Sequence, residues 1–190
     1  MENKEINFIR NGINCSGKAD IFDATDLEPI TKAYFAWKNL NNVYSEYAMR
    51  RANFPELLSE GLTSALMGWA RTNGTNITGL PSCSMDLIDL TTGEMIQLKA
   101  CSTDSRHEPG PTSFGPRSEF DKLIFMHMNC DTDTASWYLL NENEYKHWKV
   151  NRTETIADQQ AVGRRPRLKV LDKIKENNLV PFMTFTFIED

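Results

Sequence analysis

The chain is short of the residues that usually announce a metal or redox site. Its four cysteines, Cys15, Cys83, Cys101 and Cys130, form no CxxC pair and no dense cluster. That argues against structural zinc and a disulfide scaffold, and favours reduced thiols in a cytoplasmic setting. The three histidines do not build a site either. His127 falls in an apolar run, where a satisfied core histidine is expected, and His107 and His147 have no partner at metal-ligand or triad spacing. Nothing supports a histidine-based nuclease or a Ser-His-Asp hydrolase. No apolar run approaches the roughly 20 residues needed to span a bilayer, and Met1 to Arg10 is charged and mixed rather than a leader. No membrane partner is expected. Excess positive charge is missing too, since the net charge is −5. This excludes a generic polycationic nucleic-acid coat, but not an enzyme that confines its positive charge to one cleft. There are no internal repeats and no low-complexity segments.

What remains is a soluble globular composition, long enough at 190 residues for one domain, 1–190, with a continuous core. Residues 1 to about 25 show little periodicity. From Asp26, a candidate N-cap, Ile30, Ala33, Tyr34, Trp37 and Leu40 recur at helical spacing, towards Arg50. Arg50 and Arg51 read either as phosphate contacts or as solvated charges. A second helix starts near Asn53-Phe54-Pro55-Glu56, carries Leu58, Leu62, Ala65, Leu66 and Trp69 on one stripe, and stops at Asn73-Gly74. Glu56 and Glu60, on its other face, are either first-turn acids that suit the helix dipole or a carboxylate presented to a site.

The organising stretch is Ser84 to Ser102. Met85–Leu90 and Met95–Ala100 read as two strands joined by a turn at Thr91-Thr92-Gly93-Glu94. Residues two apart on a strand share a face, so Gln97 and Lys99 point together, with Ile96 and Leu98 opposite. Asp86 lies beside that polar pair across the hairpin. A carboxylate, a second oxygen ligand and a lysine suit a hard cation and an activated water. An amphipathic hairpin with one solvated face is the plainer alternative.

Further on, Thr103–Ser118 is a Gly- and Pro-rich loop too long for a plain connector, which makes it functional or mobile. Phe120–Met128 reads as a buried strand with Ala135–Leu140 as its partner, Leu168–Glu176 as a helix and Val180–Ile188 as a last strand. Between them, Thr153–Arg167 gathers Arg164, Arg165 and Arg167 with Gln159, Gln160 and Asp158. These are the side chains that read guanine, adenine and cytosine edges, although a solvent-facing basic turn is an alternative.

Taken together, these stretches resemble a type II restriction endonuclease of the PD-(D/E)xK superfamily, and more narrowly the small family that cuts GCNGC sites. The resemblance runs from about residue 30 onward. It is carried by Asn53-Phe54-Pro55-Glu56 with Ser59-Glu60, the Asp86-to-Lys99 hairpin, Thr112-Ser113-Phe114-Gly115-Pro116, Phe120-Asp121-Lys122-Leu123-Ile124-Phe125, and Thr155–Ala161 with Gly163-Arg164-Arg165-Pro166. It implies an α/β fold with a restriction-endonuclease-like mixed central sheet flanked by helices, Mg²⁺ dependence, a homodimer and double-stranded DNA as substrate. It also implies a cognate DNA methyltransferase that acts on the same site without binding the enzyme.

On that resemblance Asp86 is the first metal ligand, Lys99 the lysine at the attacking water, and Glu60, or less readily Glu56, the acid from the first core helix. Gln97 stands where Glu or Asp is usual; its amide oxygen still ligates a hard cation, without the charge. The Leu98 carbonyl is the expected further ligand. Arg164, Arg165, Arg167, Gln159 and Gln160 are the candidate DNA readers, with Arg106, Ser113 and Arg117 of the Ser105–Arg117 loop. The rivals are a non-cleaving DNA-binding protein that lost its chemistry through Gln97, a structure-selective nuclease, and a structural or small-molecule α/β protein.

Overall fold

The computed structural model describes residues 1–47, 49–72, 77–80, 85–116 and 119–189. Where little regularity is expected, the chain opens with a long antiparallel hairpin, β1 (Glu2–Arg10) and β2 (Ile13–Ile21), paired from Glu2↔Ile21 to Arg10↔Ile13. Its turn is Asn11-Gly12, both at positive φ, the sequence pair that suits a tight hairpin turn. The strand pattern is faint because β1 buries only Ile6 and Phe8.

A one-turn 3-10 helix (Ala24–Asp26) leads into α1 (Leu27–Glu46). The cap is Asp23 rather than Asp26: its carboxylate accepts the Thr25 N–H at 2.8 Å, and Asp26 returns a bond to the Asp23 N–H. The buried stripe of α1 is Ile30, Tyr34, Trp37 and Asn41, which leaves Leu40 exposed. The second helix begins as a π-helical turn, Leu57–Gly61, and continues as α2 (Leu62–Met67). Gly68, at φ +71°, ends it by donating to Ser64 O, well before the expected stop. Asn73-Gly74 lies outside the described residues. The chain from Ala70 instead joins the sheet as β3 (Ala70–Arg71), whose pairing with β2 and the next strand outweighs helix propensity.

The central hairpin follows as β4 (Leu87–Ile88) and β5 (Met95–Thr103), in register Leu87↔Ile96 and Ile88↔Met95. Gly93 takes φ +75° in its turn. The 104–121 crossover contains β6 (Thr112–Ser113) and brings the chain back as β7 (Lys122–Asn129), parallel to β5 with Leu98↔Ile124. Then come β8 (Thr134–Leu140), α3 (Glu142–Tyr145), α4 (Ile156–Ala161), β9 (Arg167–Leu168), α5 (Val170–Glu176) and β10 (Met183–Thr186).

Among the described residues, eight strands make one mixed sheet in the order β1-β2-β3-β4-β5-β7-β8-β10, and β6 pairs separately with β9. Alternation along β7 sorts the two faces. Ile124, Met126 and Met128 pack with Ile30, Tyr34, Leu58 and Leu62 of α1 and the second helix, while Leu123 and Phe125 pack with Tyr145, Ile156, Val170 and Ile174 of α3, α4 and α5. The sheet is therefore flanked by helices on both faces, the expected α/β architecture. Its polar exceptions are the residues of interest.

Candidate active site and nucleic-acid interface

Continuing the β4–β5 register by one step sets Asp86 opposite Gln97. Its main chain is fixed first: the Asp86 N–H donates to Ile96 O at 3.0 Å, and its carbonyl accepts the Thr72 N–H at 3.0 Å. The carboxylate then turns back over β5. Asp86 Oδ2 accepts the Leu98 N–H at 2.7 Å and a bond from the Gln97 side-chain amide. Both main-chain groups of a strand residue project to the same edge, so the Leu98 carbonyl also faces the Asp86 side. Gln97 is only 3% exposed, so its polarity is a buried feature and not the solvated face of an amphipathic hairpin.

The charges bear on one another. Burial pushes the Asp86 carboxyl above its ordinary range, against the Leu98 N–H, the Lys99 charge and the Gln97 amide, which favour the anion. Glu60, on the π-helical turn, is also raised by burial; bonding to Arg71 opposes this, and the Asp86 charge adds to it. Lys99 is lowered by burial and by the charge of Arg165, with Asp86 and Glu60 pulling the other way. Thus Asp86, Gln97, Leu98, Lys99 and Glu60 form one electrostatic neighbourhood. Glu56 reaches it through Arg71, whose Nη2 it holds at 2.7 Å while Glu60 holds Nε at 2.6 Å.

Lys99 opens into a cleft of about 780 Å³ whose walls include Arg50, Arg51, His107 and Ser113. Here His107 does have a partner: Asp104 Oδ1 lies 2.8 Å from its Nδ1, and Arg51 pairs with the other oxygen of Asp104 at 3.5 Å. The spacing Asp104-x-x-His107 is the sequence signal for that pair. Arg71 and its partner Asp20 carry no local signal at all, because they meet only through the β2–β3 pairing.

The two candidate reading segments are tied together. Ser113 pairs with Arg167 and Thr112 with Leu168, the Phe114 N–H donates to Pro166 O at 3.0 Å, and Gln160 Nε2 donates to Gly115 O at 2.7 Å. Arg164, Arg165 and Arg167 are exposed. Arg164 is held by Glu154, whose carboxyl is brought down to about 2 chiefly by that contact. Gln159 is buried and also donates to Glu154, which makes it a support for this turn in the free protein. The helix α4 leads into the segment, and Thr155-x-x-Asp158 is its capping box. Arg106 points elsewhere, to Asn42 Oδ1 of α1 at 2.8 Å. Arg117 lies outside the described residues. Among the described residues no group of three or more His, Cys, Asp or Glu side chains gathers as a ready metal cage.

A mixed sheet between helices carries a carboxylate, an amide and a lysine at two neighbouring strands, near an arginine-bearing cleft, groups that suit a hard cation and a phosphate backbone. The sequence model of the Bsp6I restriction endonuclease family matches residues 22–177. The chain is 38% identical over 158 residues to the type II restriction enzyme Bsp6I of Bacillus sp. (strain RFL6), a match that covers 82% of this chain and 84% of that protein. No solved structure matches the chain. The chain belongs to the Bsp6I restriction endonuclease family.

Proposed function

We propose that this chain acts as one 190-residue catalytic unit, a homodimer that cuts double-stranded DNA at a short GCNGC-like palindrome, with Mg²⁺, leaving 5′-phosphates. The observation that carries the catalytic part is the Asp86 carboxylate folded over Gln97 and Leu98, on the strand whose next residue, Lys99, lines the cleft. A two-fold dimer is the economical way to address a palindrome, since each protomer then meets one half. A methyltransferase acting on the same site is the functional counterpart in the cell, and the cytoplasm is where both meet the DNA. No helix among the described residues is long and apolar enough to cross a membrane.

The donor set suits a hard divalent ion. Asp86 and Glu60 are carboxylates whose anionic form is disfavoured by burial, and a cation relieves that cost. The Gln97 amide oxygen and the Leu98 carbonyl are neutral oxygen donors. Few protein ligands plus water and a substrate phosphate is the usual Mg²⁺ arrangement. When bound, such an ion stabilises the charge that develops on the phosphorane oxygens. Asp86 is held for this by two donors, and Gln97 contributes no charge, which puts the electrostatic weight on Asp86 and Glu60.

Lys99, pushed towards its neutral form by burial, holds or takes up a proton at Nζ beside the attacking water. Water oxygen bonds to phosphorus in line as its proton passes to Nζ, the P–O3′ bond breaks, O3′ takes a proton from a solvent water, and the products are a 3′-hydroxyl and a 5′-phosphate. Arg164, Arg165 and Arg167, with Gln160 and Ser113, read or position the duplex, and the charge of Arg165 is felt at Lys99.

The test is cleavage of a plasmid with many candidate sites, in Mg²⁺, by wild type, Asp86→Ala and Lys99→Ala. Discrete fragments with wild type alone support the assignment, and sequencing the ends gives the site. Fragments that survive both substitutions place the centre elsewhere. Site-selective binding without cutting favours the one rival with an observation behind it, a non-cleaving binder in which the uncharged Gln97 leaves the centre too weakly anionic.

A further inference from the structure

Arg71 lies outside every stretch that the sequence marks as functional, yet its guanidinium is shared among three carboxylates. Nε donates to Glu60 Oε2 at 2.6 Å, Nη2 to Glu56 Oε2 at 2.7 Å and Nη1 to Asp20 Oδ2 at 3.3 Å. Asp20 is 4% exposed, and its other oxygen accepts from Asn3 Nδ2 at 2.8 Å. Asp20 and Arg71 are cross-strand neighbours, and Arg71 is paired in turn with Leu87, the residue after Asp86. The sheet thus sets Arg71 opposite the residue that follows the candidate first carboxylate. Glu60 arrives from the other side, on a single π-helical turn. A helical backbone by itself leaves a glutamate side chain its rotamer freedom. A planar fork with donors in fixed directions holds that side chain in place.

We propose that Arg71 is a positioning residue for the cleavage reaction: it holds Glu60 towards Asp86 and so shapes the divalent-cation site, while Asp20 of the N-terminal hairpin holds Arg71. The family match begins at residue 22, so Asp20 lies outside it, and the hairpin becomes part of the catalytic support rather than an appendage. The proposal rests on the catalytic centre assigned above.

The experiment uses Arg71→Lys, which keeps the charge and removes the fork, and Asp20→Asn, which loosens the fork without touching it. Two quantities are read: Ca²⁺ affinity of the protein–DNA complex by calorimetry, and kcat in Mg²⁺ at saturating DNA. Removing an outer partner of a metal ligand typically costs about 10–100-fold in metal affinity or activity, and that is the loss expected for Arg71→Lys. DNA affinity without divalent ions stays at the wild-type value, and Asp20→Asn shifts both readouts the same way by less. In a Glu60→Gln background, Arg71→Lys adds nothing, because its effect passes through Glu60.

A folded Arg71→Lys with wild-type Ca²⁺ affinity and kcat overturns the proposal, as do losses that add to those of Glu60→Gln. If Arg71→Lys fails to fold, Asp20→Asn decides alone, and wild-type values there overturn it. Asp86→Ala and Lys99→Ala separate the two levels. If they still cut, the centre was wrongly assigned; if they do not cut while Arg71→Lys is unaffected, only the positioning role falls.

Discussion

Replacing His127 by Gln should remove the part of the fold's acid sensitivity that falls between pH 6.5 and about 4 and belongs to this side chain. His127 is half-buried on β7, between Cys101 and Ser136 in register, with Nε2 2.7 Å from Thr103 Oγ1. Burial, helped by the charge of Lys175, lowers its pKa from an ordinary 6.5 to about 4. Between those two values the unfolded chain binds a proton that the folded chain does not, so stability rises with pH across that window. The contribution is complete above 6.5 and lost as pH falls to about 4. A shift of this size has a ceiling of about 3 kcal/mol, and the partial exposure of the ring brings the expected value to about 2 kcal/mol. Urea unfolding at intervals from pH 7.5 to 4.5 measures it. Wild type should lose about 2 kcal/mol more than His127→Gln over that range, since Gln keeps a partner for Thr103 and does not titrate. Parallel profiles for the two proteins would refute the reasoning and assign the acid sensitivity to other groups. The result also bears on function, because a fall in cutting below pH 6 would otherwise be mistaken for titration of the catalytic centre.

Arg164→Ala should lower discrimination between the cognate site and single-base variants by about 1–3 kcal/mol if the contact is bidentate to guanine. Filter binding on matched duplexes checks it, and uniform weakening on all of them would make Arg164 a phosphate contact. Gly61→Ala places a Cβ 3.0 Å from Leu57 Cδ1 and 3.2 Å from Phe22 Cε1. Overpacking of this kind costs about 1–3 kcal/mol, and here it displaces the turn that carries Glu60, so kcat should fall more than the melting temperature alone explains. Gly93→Ala meets Ile9 O at 2.7 Å and keeps φ +75°. The strained conformation alone costs about 1–3 kcal/mol, so denaturant unfolding should show at least that loss, and an unchanged midpoint would mean that the β4–β5 turn can rearrange.

The local patterns were legible where burial and spacing agree. Ile30, Tyr34 and Trp37 mark α1, the Met85–Ala100 segment marks the hairpin with its Gly93 turn, and Phe120–Met128 with Ala135–Leu140 marks the antiparallel pair beside it. The β1–β2 hairpin is not legible in the pattern of its strands, because the two buried side chains of β1, Ile6 and Phe8, make too short an alternation, although Asn11-Gly12 marks its turn. The second helix ends short of its apolar pattern, because Leu62, Ala65, Leu66 and Trp69 keep a helical spacing past the point where Gly68 takes a left-handed conformation.

By itself the sequence determined α1, the central hairpin and the strand pair beside it, and the chemistry available: a carboxylate, an amide and a lysine in one hairpin, and an arginine-rich segment in an acidic chain. These follow from short-range periodicity and side-chain type, which neighbouring residues settle. Only the tertiary structure decided which of those groups meet. The pairing of β2 with β3 brings Asp20 to Arg71, the packing of the π-helical turn brings Glu60 and Glu56 to the same guanidinium, and the pairing of β6 with β9 joins Ser113 to Arg167. Such contacts between residues 11 to 54 positions apart depend on the register of a whole sheet, and no local pattern carries that information.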